Sequence, residues 1–269
     1  MRRRRVTGAA VLAAALATAT SLALLHRSGQ AEPASAGSSS FLGEAEQLPP
    51  PETPAITVGA PTPLPRRETR ARFASVLRRV EARRAPAPTA SPVAPLDAET
   101  PEGTTNVVLV IGASAGRDGL WVHVRLPVLP NNLTGWVPRR ALGGYQFVHT
   151  HLVVDQARLR ATLLYDGRRI FSAPVGVGTA ASPTPRGSFY IRDRLAGFGD
   201  PFYGPVAFGT SARSAVLTDW PGGGFVGIHG TNQPELIPGR VSHGCVRMRN
   251  ADILRLSRLM PVGTPLTIR

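Results

Sequence analysis

A mainly β protein is predicted, and three observations predict it. Apolar and polar side chains alternate with a period of two in LWVHVRL (Leu120–Leu126) and again in the stretch leading through SFYIRDR (Ser188–Arg194). Glycine (28) and proline (26) are both abundant, which suits turns and short strands better than a helix bundle. Only one long segment, NADILRLSRLM (Asn250–Met260), spaces its apolar residues as a helix does, so one or two short helices complete the expectation. An apolar content of 42% in 269 residues is enough for one large folded domain or two small ones.

Taken in order, the chain opens with MRRRR and then about twenty uncharged residues, Val6–Leu25. A basic start before an apolar run is an export signature, so residues 1–30 are a signal peptide or a membrane anchor and the rest acts outside the cytoplasm. The run is rich in alanine, threonine and glycine, which makes it only weakly hydrophobic, and Ala34–Ala36 offers a cleavage site; removal and retention both stay open. Residues 31–65 hold eight prolines, which prevent a packed core and favour an extended linker. Arg66–Arg84 has local helical character that Pro86, Pro88, Pro92 and Pro95 cut off.

A β-rich block follows, with strands expected in NVVLVIG (Asn106–Gly112), LWVHVRL and TGWVPRRAL (Thr134–Leu142). A second block runs over residues 147–269. Its strands are expected at Leu152–Asp155, Arg160–Tyr165 and Arg168–Val177, with Asp166-Gly167 as a tight hairpin turn. Further strands fit Thr184–Arg194 (after a Pro-Gly turn), Ala215–Trp220, Gly224–Gly230 and Pro265–Arg269. The helix has Asn250 as its expected N-cap and stops at Pro261. The block's roughly 120 residues suffice for one core.

The formal charge is +14, carried entirely by arginine, with eight of the arginines between Arg66 and Arg84. No nucleic-acid reader motif accompanies it, so no nucleic-acid partner is expected. The cluster is a solvated basic segment or an attraction to anionic wall polymer.

SHGCVRM (Ser242–Met248) contains the only cysteine, which excludes an intramolecular disulfide. An inert thiol, an intermolecular link, a metal ligand and a nucleophile remain. A zinc site from His229, His243 and Cys245 lacks a fourth ligand. The start of the helix, His243 and Arg247 would each favour a thiolate at Cys245. Gly244 leaves room beside the sulfur, and the amides around Gly244 and Cys245 are candidate oxyanion donors. A thiol nucleophile needs a base, and His243 and His229 are both near in sequence. His123, His149 and His151 read as surface or edge residues, whereas Tyr203, Phe208 and Trp220 line a groove or fill a core.

The pairing of IHGT (Ile228–Thr231) with SHGCVRM, supported by TPRG (Thr184–Gly187), VGVG (Val175–Gly178) and GPVAFG (Gly204–Gly209), resembles the YkuD-type L,D-transpeptidases over the last 120 residues. That resemblance implies a β-sandwich catalytic domain over 147–269. It also implies a cysteine, Cys245, that attacks a peptidoglycan peptide stem, releases D-alanine and passes the acyl group to a neighbouring stem as a 3→3 cross-link. His229 would be the proton acceptor and donor, oriented by the carbonyl of Gly230, with His243 shaping the site. Ser242, Gly244, Arg247 and Tyr203 would support or contact substrate. No metal or organic cofactor is implied, and carbapenem-type β-lactams would acylate Cys245. The GWV element behind a WVHVRLP strand resembles small SH3-like barrels of bacterial envelope proteins and would span Phe73–Gly143. Two other readings compete: L,D-carboxypeptidase-type hydrolysis of the same bond, and a non-catalytic wall-binding protein. The expected location is the cell envelope, with the membrane touched only through the N-terminal segment.

Overall fold

The computed structural model describes residues 70–116, 118–196, 200–218 and 224–269, which lie in one compact unit spanning Ala55–Arg269. The N-terminal apolar segment, the proline-rich linker and Trp220 lie outside the described residues. Among the described residues no helix is long and apolar enough to cross a membrane.

Seven strands form an antiparallel sheet: β1 (Ala71–Val76), β2 (Val80–Arg83), β3 (Pro92–Leu96), β4 (Val107–Gly116), β5 (Gly119–Arg125), β6 (Thr134–Pro138) and β7 (Leu142–Val148), in the order β3-β2-β6-β5-β4-β1-β7. Here the sequence expectation is corrected, because the arginine-rich segment supplies β1 and β2 rather than helical turns. The reason is pairing: β1 lies between β4 and β7, where it buries Ala74 and Val76 against Val108, Val110 and Val124. Burial between two partner strands outweighs the small helical preference of Arg and Ala.

The second sheet has ten strands: β8 (Thr150–Asp155), β9 (Arg160–Tyr165), β10 (Arg168–Pro174), β11 (Gly176–Gly178), β12 (Gly187–Ala196), β13 (Val206–Arg213), β14 (Phe225–His229), β15 (Gly239–Ser242), β16 (Val246–Arg247) and β17 (Pro265–Ile268). Their order is β10-β9-β8-β17-β12-β13-β14-β16-β11-β15. One apolar cluster takes Leu152, Val154 and Leu163 from one half of the sheet and Phe208, Ile228 and Val246 from the other. The two halves therefore face each other across a shared core, and Ile253 and Leu256 of helix α1 (Asn250–Leu259) are buried in it. At the β9–β10 hairpin, Asp166 and Gly167 both have positive φ (47° and 77°), as a tight primed turn requires.

Two further expectations change. Residues 215–218 form bends and irregular backbone, and β14 begins only at Phe225, so the strand expected at Ala215–Trp220 is not formed among the described residues. The helix is capped by Arg249, whose side chain makes no capping bond, and Asn250 is its first residue.

The two sheets pack on each other through Phe73, Val107, Leu109, Val148 and Tyr190. A Cβ at Gly263 would stand 2.3 Å from the Phe73 ring, so this contact needs glycine, and its φ of +84° agrees. Polar ties cross the same seam. The Asn131 amide donates to Arg213 O and accepts from Arg213 N–H, and Arg192 meets Glu102 at 2.7 Å.

Candidate active site

The two halves of the motif meet because β14 and β16 pair in parallel, with Ile228 opposite Val246 and His229 opposite Arg247. Sixteen residues apart in sequence, His229 and Cys245 thereby reach one cleft. Gly227 stands between them: a Cβ built there would lie 3.9 Å from both Cys245 Sγ and His229 Cδ2. The Gly227 N–H donates to Cys245 Sγ at 3.3 Å. Phe202, Tyr203, Phe225, Val226, Ser242 and His243 also line the cleft, whose volume of about 30 Å3 holds little more than a water molecule.

His229 is 2% exposed, and its Nδ1 lies 2.6 Å from the carbonyl oxygen of Gly230. A carbonyl only accepts, so Nδ1 carries the proton and Nε2 is the basic nitrogen. Burial lowers the His229 pKa to about 4; the charge of Arg247 adds to that and the Gly230 carbonyl opposes it. The rings of Tyr203 and Phe202 stand 5.1 and 6.0 Å from the imidazole.

Cys245 is half-buried, and burial pushes its pKa upward, against the smaller pull of the Gly227 N–H and Arg247. The thiolate expected from the flanking charges is thus corrected. With a thiol harder to ionise and an imidazole harder to protonate, the resting pair is neutral. Desolvation acts on the whole thiol, whereas Arg247 has its own guanidinium stacked 4.3 Å over the Phe202 ring. His243 is exposed at the cleft's edge.

The SHGC loop is held by hydroxyls. Ser242 Oγ donates to Cys245 O at 2.5 Å and accepts from Gly244 N–H at 3.1 Å. The Gly244 amide is therefore engaged by Ser242, which corrects its expected part as an oxyanion donor. Gly244 has φ +119°, a conformation that only glycine adopts without strain. Its carbonyl accepts from Thr184 Oγ1 at 2.8 Å, and the same hydroxyl accepts from Gly178 N–H at 2.8 Å. One buried threonine thus ties VGVG, TPRG and SHGC together. Arg247 is 5% exposed; its Nη1 lies 3.5 Å from Gln233 Oε1, and its Nε has no hydrogen-bond partner among the described residues.

Of the aromatic residues named from sequence, Tyr203 lines the cleft and Phe208 is fully buried core. The sequence reading gave no role to Gly227, Phe202 or Thr184. Thr184 stands in a motif that signalled its importance, but its partners are 6 and 60 residues away.

Residues 149–268 match the family profile described as YkuD, L,D-transpeptidase catalytic domain. The chain is 36% identical over 118 residues to the protein YkuD of Bacillus subtilis, covering 44% of this chain and 65% of that one. It is 31% identical over 134 residues to YbiS of Escherichia coli, covering 44% of each chain. It therefore spans less than two thirds of the length of these relatives. A solved L,D-transpeptidase of Enterococcus faecium aligns at 25% identity and a TM-score of 0.35, over 45% of this chain and 49% of that one. With its histidine and cysteine motifs joined in one cleft, the segment 149–268 is similar to the YkuD family of L,D-transpeptidase catalytic domains.

Proposed function

We propose that the protein is an exported peptidoglycan L,D-transpeptidase that forms 3→3 cross-links through a Cys245 thioester. The observation that carries this reading is the meeting of Cys245 Sγ and the neutral, Nδ1-protonated His229 at Gly227. Because the resting pair is neutral, the thiol proton passes to His229 Nε2 as sulfur attacks the carbonyl carbon of stem residue three. The bond to D-alanine then breaks, and His229 returns the proton to the departing amine. A thioester remains on Cys245. The amine of a second stem gives a proton to His229 and attacks the thioester, and the sulfur leaves and regains its proton. The Gly230 carbonyl opposite Nδ1 stabilises the imidazolium that forms in each half-reaction.

Arg247, buried at the cleft with no ion-pair partner among the described residues, is suited to a stem carboxylate. Cys245's own amide is the candidate oxyanion donor, and His243 borders the substrate's entry. In this reading the N-terminal sheet is the SH3-like module, with a role as spacer or wall contact, and the N-terminal segment supplies export or anchoring.

The test is mass spectrometry of the intact protein after incubation with a carbapenem, then product analysis with a disaccharide–tetrapeptide substrate. A covalent adduct that Cys245→Ala abolishes, together with a cross-linked dimer, is the expected result. Tripeptide without dimer indicates transfer to water instead. No adduct on folded protein overturns the cysteine mechanism.

A further inference from the structure

Asn250 begins helix α1 but does not cap it, and its side chain is turned elsewhere. Its Oδ1 accepts from the N–H of Thr231 at 2.9 Å. That N–H belongs to the same peptide unit as the Gly230 carbonyl, which receives the Nδ1 proton of His229 at 2.6 Å. A peptide unit is rigid and planar, with its N–H and C=O pointing in opposite directions, so holding one group orients the other.

We propose that Asn250 is a positioning residue for His229, acting through the Gly230–Thr231 peptide. The proposal rests on the transpeptidase reading above for its kinetic consequence.

The surroundings are shaped for this amide oxygen. A Cβ on Gly230 would come within 2.3 Å of Asn250 Oδ1, and a Cβ on Gly204 within 2.5 Å, so two glycines make the space it fills. Gly204 has φ +65° and directly follows Tyr203, whose ring stands 5.1 Å from the imidazole. The oxygen thus abuts both the peptide that orients the base and the loop that walls it. With Thr231 N–H held, the Gly230 carbonyl stays on Nδ1 and Nε2 remains the proton acceptor for Cys245. Released, that peptide can rotate, and the imidazole loses the partner that selects its tautomer. A buried Asn amide would threaten the fold when removed, but Asn250 is exposed, so its replacement spares the core.

The test uses the full chain with Asn250→Ala and Asn250→Asp. Turnover of the tetrapeptide substrate is measured alongside 15N NMR of the histidine rings, which reports which His229 nitrogen bears the proton. In Asn250→Ala, kcat should fall about tenfold, the scale of one neutral hydrogen bond, with KM within about twofold. The His229 Nδ1–H signature should weaken in the same variant. Asn250→Asp keeps an acceptor oxygen and should restore both readouts to within about threefold of the parent. Unchanged turnover in Asn250→Ala, an intact tautomer despite slower turnover, or equal damage in both variants overturns the proposal. Cys245→Ala separates the two layers. If it remains active, the transpeptidase reading fails, while the NMR comparison still decides whether Asn250 holds His229.

Discussion

Replacing Thr184 with valine is the sharpest way to test how the cysteine loop is held. Valine has the shape of threonine and the same β-branching, so it opens no cavity and preserves the rotamer preference. What it removes is one hydroxyl, and with it two bonds of 2.8 Å: Gly178 N–H to Oγ1, and Oγ1 to Gly244 O. Thr184 is 2% exposed, and both bonds are buried, so water has little access to the groups left behind. A stranded buried donor or acceptor costs about 1–3 kcal/mol, and two partly relaxed groups should cost about 3 kcal/mol together. For a folded unit of this size that is a fall in Tm of about 6–12 °C. Thr184→Ser keeps the hydroxyl and loses one methyl, about 1 kcal/mol and about 3 °C. Thermal and urea unfolding of both variants, followed by circular dichroism, measures the difference. If Thr184→Val melts within about 3 °C of the parent, or no lower than Thr184→Ser, the threonine bridge does not hold the loop.

Two other outcomes follow from the charges. The folded pKa of His229, about 4, lies below the ordinary 6.5, so between those values the unfolded chain binds more protons than the folded one. Stability from this group is complete above pH 6.5 and declines as pH falls toward 4, by about 3 kcal/mol in all. Urea titrations of parent and His229→Gln across this range should converge by that amount at the acid end; parallel curves would contradict it. At the seam between the sheets, Arg192 is 2% exposed and pairs with Glu102 at 2.7 Å. Glu102→Gln should cost about 2–3 kcal/mol by weakening one partner of a buried cation that Asp193 also meets at 3.5 Å, and adding Arg192→Met should cost less than the two single losses summed. Additive losses in the double variant would show that the pair contributes no coupling.

Local pattern made much of the second β block legible. The alternation of β8 and β9, the Asp166-Gly167 turn and the 3.6-residue spacing of α1 all depend on near neighbours, and each formed close to the expected residues. The helical reading of Arg66–Arg84 failed for the opposite reason. The strand character of β1 comes from β4 and β7, whose residues lie more than 30 positions away. Asn250 looked like a helix cap because asparagine before an apolar helical run usually is one. Its partner, Thr231, is 19 residues back, in the loop that follows β14.

The same division holds at the site. The sequence alone brought out one cysteine, two histidines and a run of small residues in a pattern that resembles an L,D-transpeptidase signature, because a motif is legible in residue type and spacing. Tertiary structure decided which histidine is buried beside the thiol, since the parallel pairing of β14 and β16 brings His229, 2% exposed, to Cys245 while His243 stays exposed at the cleft's edge. It also decided the protonation of the pair. Charges near in sequence argued for a thiolate, but burial penalises any charge on sulfur or imidazole, and burial exists only once the two halves of the sheet have closed over their common core.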